Sequence, residues 1–180
     1  MDRLAVASGV SRAMISKIER GESSPTAVLL GKLSAALELS VSELLTGSRL
    51  GDGQEPAAEA PPADPAGAGR VRRAPDTPQW RDPDTGYLRR LISTAGFPAA
   101  VTEVTLPPHA RVPYPAAAYA FIAQLVWVLS GQLTLTDGPV RRVLAPGDTF
   151  ELGQPRSREF RNESAEDCRY VVVVTRKPTA

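Results

Sequence analysis

The sequence predicts an α + β chain of two domains, a small all-α bundle followed by an all-β sandwich or barrel with a jelly-roll arrangement. Three changes of pattern along its 180 residues predict this. Up to Leu45 the apolar residues recur at the three-to-four spacing of helices. From Thr46 to Ala74 proline, alanine and glycine take over and no apolar period survives, so that stretch cannot bury a core. Beyond Pro75 apolar and polar residues alternate with period two, broken by turn residues roughly every 8–12 positions. The expected boundaries are 1–47 for the helical domain, 48–74 for a semi-extended linker and 75–180 for the β domain.

The helical part is organised around Ser8 to Glu22, which reads S-G-V-S-R-A-M-I-S-K-I-E-R-G-E. Ser8-Gly9-Val10 predicts a tight turn and Ser11 a side-chain N-cap, and the helix behind them stops at Gly21. Val10, Met14, Ile15 and Ile18 form one buried stripe. Arg12, Ala13, Ser16, Lys17 and Arg20 share the opposite face, where small, donor-rich and cationic side chains suit a DNA major groove. An ordinary amphipathic surface helix carries the same stripe, so the pattern leaves both readings open. Asp2 to Ala7 leads into the turn, with Leu4 and Ala7 facing inward. Ser24 is expected to cap the next helix with Pro25 in its first position. Val28, Leu29, Leu33, Ala36 and Leu37 would form its stripe, and Ser40 would cap a last short helix carrying Val41, Leu44 and Leu45.

The string G-V-S-x-x-x-I-S-x-I-E-R-G-x-x-S-P, Gly9 to Pro25, resembles the lambda-repressor-like, XRE-type helix-turn-helix family. The resemblance runs from Leu4 to Leu45 and implies double-stranded DNA as the partner. It implies Arg12, Ala13, Ser16 and Lys17 at base edges, with Ser11 and Arg20 on phosphates. The family has a further helix ahead of these, which is missing here; a start placed too late is the expected cause. Without it Leu4, Ile18 and Leu33 should lie open, and burying each is worth roughly 1.5–3 kcal/mol.

In the second half, Tyr87–Ser93, Ala100–Leu106, Leu125–Leu129, Gln132–Thr136, Val140–Leu144, Asp148–Glu151, Arg158–Arg161 and Arg169–Thr175 read as strands. Val171 to Val174 is apolar on both faces, as a central strand would be. Trp127–Leu133 (W-V-L-S-G-Q-L) resembles the end of the first cupin motif. Leu144–Phe150 (L-A-P-G-D-T-F), with Arg158–Asn162 (R-E-F-R-N) behind it, resembles the second. Asp82–Tyr87 (D-P-D-T-G-Y) is similar to the opening segment of cupins fused behind XRE-type domains. The resemblance implies a jelly-roll barrel, and the order helix-turn-helix, linker, cupin implies a regulator.

Metal-bearing cupins hold their ion with two histidines and a carboxylate from the first motif and a histidine from the second. Here Tyr119-Ala120 stands in the region of the paired histidines, Gln124 in place of the glutamate and Arg158 in place of the last histidine. One histidine and one cysteine cannot furnish such a shell, and an arginine repels a cation, so neither metal, cofactor nor enzymatic activity is expected. If the cupin register holds, Arg158 points into the barrel beside Gln124. The two would then clamp a small anionic or polar effector walled by Tyr119, Val126, Val128 and Phe160. The alternative is that Arg158 pairs with a protein carboxylate such as Glu103 or Glu151 in a filled core; both remain open. His109 and Tyr114, imaginable as the acid–base pair of a metal-free epimerase, are expected to be plain loop residues. Trp127 is expected to pack the sheets or to meet a second copy, and Trp80 and Tyr87 to cover a barrel end or a partner.

A formal net charge of +1 argues against a sequence-independent polycation and shows no membrane-surface signal. Cys168 is the only cysteine, so no intrachain disulfide forms. No run reaches the roughly 18 apolar residues of a spanning helix, and a cytoplasmic location is expected. The expected function is a sequence-specific DNA-binding regulator that dimerises on a palindromic operator, since one such motif makes few contacts, and answers to a small effector in the barrel. Two rivals are a metal-independent isomerase or epimerase with a vestigial helical segment, and a truncated partner of full-length regulators.

Overall fold

The computed structural model describes residues 2–45, 71–94 and 97–177, so most of the expected linker lies outside the described residues. Three helices come first, α1 (Asp2–Ser8), α2 (Arg12–Glu19) and α3 (Ala27–Leu37), and residues 41–45 are again helical. Ser11 starts α2 by accepting the Met14 N–H at 3.2 Å, and Gly21, at φ +68°, turns the chain out of it. Val10, Ile15 and Leu33 form a small core, with Leu4, Met14 and Ile18 packed around it. Leu33, expected to lie open, is 8% exposed, because α1 packs across α3.

α3 departs from expectation at its start and on its buried face. Thr26, not Ser24, is its cap and accepts the Leu29 N–H at 3.3 Å. The buried residues are Ala27, Leu30, Gly31, Leu33 and Ser34, whereas Val28 and Leu37 are 41% and 42% exposed. The reason is that α3 is covered from two sides: Leu33 faces the helical core, and Ala27 joins the core of the β domain. Gly31 permits this approach, since a Cβ there would come within 2.8 Å of the Tyr114 ring. Ser40 caps the following helix reciprocally with Glu43: its hydroxyl accepts the Glu43 N–H at 3.2 Å, and its own N–H donates to the Glu43 carboxylate at 2.7 Å.

Ten strands follow: β1 (Gln79–Arg81), β2 (Leu88–Leu91), β3 (Ala100–Leu106), β4 (Arg111–Tyr114), β5 (Ile122–Ser130), β6 (Leu133–Asp137), β7 (Val140–Leu144), β8 (Thr149–Glu151), β9 (Arg158–Arg161) and β10 (Cys168–Arg176). They make two sheets, β1-β2-β3-β10-β5-β8 and β4-β9-β6-β7, antiparallel throughout. β10 is central, as its run of valines predicts. The sheets face each other across a core that includes Val104, Leu106, Val126 and Tyr170 on one side and Val112, Leu133, Leu135 and Phe160 on the other. The Phe160 ring lies parallel to Tyr170, centroids 5.9 Å apart. Trp127 is 47% exposed on the outer side of β5, so it does not pack the sheets together.

On that outer side Glu103 bridges Arg90 and Arg169, accepting from Arg169 Nε at 3.0 Å. Burial works against the charged carboxyl, but the hydrogen bonds from Arg169 and Arg90 prevail and hold it below the usual glutamate range. A depressed native pKa stabilises the fold above the unfolded value, about 4.3, and that stabilisation is lost as pH falls through the native value. Glu103→Gln should therefore lower the urea midpoint at pH 7, and the gap from the parent should narrow towards pH 3. An equal gap at both pH values would refute the assignment.

Candidate functional site

The first candidate surface is the outer face of α2. Ser11, Arg12, Ala13, Lys17 and Arg20 are exposed and Ser16 is half-buried. Because Ile15 and Val10 anchor one side of the helix in the core, the other side is presented at a fixed angle. Arg12 pairs with Asp2 at 2.7 Å, and Arg20 with Glu22 at 2.6 Å. Ser16 accepts from Arg20 Nη1. Both pairs are exposed and screened by solvent, so the cations are readily exchanged for phosphate or base partners.

The second is a cavity between the barrel and the helical segment. Asp82 organises the turn that leads to it: its carboxylate accepts the Asp84 N–H at 3.1 Å and the Thr85 hydroxyl at 2.8 Å, while its N–H donates to the Tyr87 carbonyl at 2.8 Å. This turn leaves Tyr87 inside, 1% exposed. Strand alternation puts Arg89, 7% exposed, on the same side. Arg89 Nη1 donates to the Tyr87 hydroxyl at 2.7 Å and Nη2 to the Ser42 hydroxyl at 3.0 Å. Its Nε has no hydrogen-bond partner and no carboxylate pairs with it among the described residues. Arginines are rarely this buried without a counter-ion. The Tyr119 hydroxyl, also buried, has no hydrogen-bond partner among the described residues. Burial raises the pKa of the Tyr114, Tyr119 and Tyr170 phenols, so at neutral pH they are hydroxyls rather than anions.

The cavity has about 40 Å³ of free space, and Ser34, Ser40, Val41 and Ser42 of the helical segment form one wall. Ser42 also meets the Thr102 hydroxyl at 3.0 Å, and Arg176 binds Glu43 at 2.9 Å, so the helical segment is tied to the barrel beside the cavity.

Of the residues expected around an effector, Tyr119, Gln124 and Phe160 line this cavity. Val126 is fully buried in the core. Arg158 lies elsewhere: its Nε is 2.9 Å from Asp137 Oδ1, Nη2 donates to the Gln154 carbonyl at 2.9 Å, and the guanidinium stacks 4.5 Å from the Tyr119 ring centre. Its carboxylate is therefore Asp137, rather than Glu103 or Glu151, while its Nη1 has no hydrogen-bond partner among the described residues. Arg89 escaped sequence reasoning. In Leu88-Arg89-Arg90-Leu91 either arginine suits the inward phase, and only the position of Tyr87 decides it. His109 is exposed at φ +59° on the turn after Pro107-Pro108. Tyr114 is not the loop residue expected: it lies in β4, buried against Tyr119 and Phe160.

Residues 1–44 match the family model described as Helix-turn-helix (HTH_3). The fold of the chain is that of an HTH_3 family transcriptional regulator from Vibrio cholerae, with 21% identity, a TM-score of 0.69, and coverage of 99% of this chain and 86% of that one. The β region has the cupin fold. It is similar to a cupin-2 domain from Rhodospirillum rubrum (15% identity, TM-score 0.51, 62% of this chain and 77% of that one). It is also similar to a predicted oxalate decarboxylase from Thermotoga maritima (14% identity, TM-score 0.52, 60% and 100%). No curated protein matches the chain. The chain thus joins a helix-turn-helix segment to a cupin fold. No helix among the described residues is long and apolar enough to cross a membrane.

Proposed function

We propose that the protein is a cytoplasmic, sequence-specific DNA-binding transcription regulator whose cupin fold senses a small effector. The observation that carries this reading is the α2 face: Arg12, Ala13, Ser16 and Lys17 stand outward behind an N-capped turn, within the residues that match the helix-turn-helix model. In this reading these four meet base edges, with Ser11 and Arg20 on phosphates. Two copies bind a palindrome, since one recognition helix contacts too few bases for physiological affinity. Trp127 on the outer face of β5 is the proposed contact between them. The barrel cavity, lined by Tyr119, Gln124 and Phe160, takes the effector. A metal-independent isomerase would need an acid–base pair there, and the only histidine, His109, is not among the described residues that line it.

The test is salt-dependent binding of the full chain to DNA from its own promoter region, with random DNA beside it. Preference for the promoter, with log affinity falling linearly against log salt concentration, is the expected result. Equal affinity for both DNAs would refute the regulator reading.

A further inference from the structure

We propose that the cavity under the helical segment is a monocarboxylate site with Arg89 as its anchor, and that a ligand there competes with Ser42 for the guanidinium and so loosens the helical segment from the barrel. The proposal rests on the sensor reading above and adds the ligand class and the route of coupling.

Charge sets the class. Arg89 is the one charged residue among the described residues that line the cavity, and it is met only by the hydroxyls of Tyr87 and Ser42. A guanidinium has five N–H donors and is always charged. Two of these are used, and Nε is buried without a hydrogen-bond partner among the described residues. Nε, with a neighbouring Nη, is the fork that takes both oxygens of a carboxylate. A single negative charge neutralises the site, whereas a doubly charged phosphate would leave an uncompensated anion. The Tyr119 hydroxyl is a second donor without a hydrogen-bond partner. Ile122, Phe160, Val172 and Val174 supply an apolar part of the wall, suited to a short hydrocarbon tail.

Size sets the coupling. The free space, about 40 Å³, admits a few waters at most, since about 10–15 Å³ is the least that holds one. Acetate approaches that limit; a longer acid needs room, and the wall built from Ser40, Val41 and Ser42 belongs to the helical segment rather than to the barrel. The Arg89 to Ser42 hydrogen bond ties that wall down. A carboxylate on Arg89 replaces it, and the tail presses on the same residues. In this way the ligand reaches the helices that hold α2 without acting through the linker.

Acetate, propionate and butyrate would be titrated into the full chain without DNA and followed by chemical-shift changes. Acetamide, inorganic phosphate and sodium chloride at matched ionic strength serve as comparisons. Saturable binding of the carboxylates but not of acetamide is expected, weakened at least tenfold by Arg89→Gln. Tyr119→Phe, which leaves the guanidinium and the fold in place, should weaken binding severalfold even if the first variant fails to fold. Ser42→Ala should tighten binding, since it removes the competitor. No saturable binding, equal binding of acetamide, preference for phosphate, or weaker binding by Ser42→Ala would each overturn the proposal. Promoter binding is measured separately. Its absence beside intact carboxylate binding would refute the regulator reading alone, and intact promoter binding without carboxylate binding would refute this site alone.

Discussion

Replacing Arg12 and Lys17 together by alanine should lower affinity for the specific operator about a hundredfold or more, at roughly 1–3 kcal/mol per base contact. Neither change should unfold the chain, because both side chains are exposed and the cap at Ser11 and the buried Ile15 stay in place. Arg12 is paired with Asp2 in the absence of DNA, but that pair is exposed at both ends, 68% and 76%, and yields cheaply to a base or phosphate. The two single variants separate the roles. If Arg12 reads a base edge, Arg12→Ala weakens the operator more than random DNA. If Lys17 turns instead to a phosphate, Lys17→Ala weakens both alike and reduces the salt slope by about one. Unchanged operator affinity in the double variant would remove α2 as the reading surface. Binding titrations at several salt concentrations, with circular dichroism to verify the fold, decide it.

Phe160→Ala should be among the most damaging substitutions to stability, costing about 3–5 kcal/mol. The ring is 3% exposed. It is parallel to Tyr170 and edge-on to Tyr114 at 6.0 Å, and its strand, β9, lies between β4 and β6. Its removal empties space where the two sheets meet, beside the cavity. Against the 5–15 kcal/mol that stabilises a typical domain, the loss is large enough to show as a much lower urea midpoint. Phe160→Leu should cost clearly less, because it keeps most of the volume. A midpoint within error of the parent for Phe160→Ala would mean that the sheets do not pack here as described.

What was legible in the chain was what is decided locally. Ser11 caps α2 through a neighbour three residues on, so the cap and the outward face could be read from spacing. Three strands, Ala100–Leu106, Val140–Leu144 and Arg158–Arg161, have the bounds their alternation predicts. Two escaped. β1 has three residues, too few for a period to emerge, and β4 carries Pro113, which reads as a strand breaker unless the strand is known to lie at an edge. The buried face of α3 was illegible for a different reason. Its partner is Tyr114, far along the chain, and the signal it left is a patch of small residues, Gly31 and Ser34, rather than an apolar stripe. The candidate site followed the same rule. Tyr119, Gln124 and Phe160 do line one cavity. Which arginine enters it depended on two pairings invisible in one dimension: Arg158 with Asp137, and Arg89 with hydroxyls alone.

The borders of the two sheets have a consequence for association. β1 and β8, at the ends of the larger sheet, are three residues long. At the ends of the smaller one, β4 contains Pro113, which has no N–H to offer, and β7 carries Arg141 and Arg142. None presents the long, flat row of unpaired donors and acceptors that another chain needs in order to add a strand, so neither sheet is a template for fibrous growth. In the proposed dimer a second copy would therefore meet the broad face of the larger sheet, where Trp127 looks outward, rather than an edge strand.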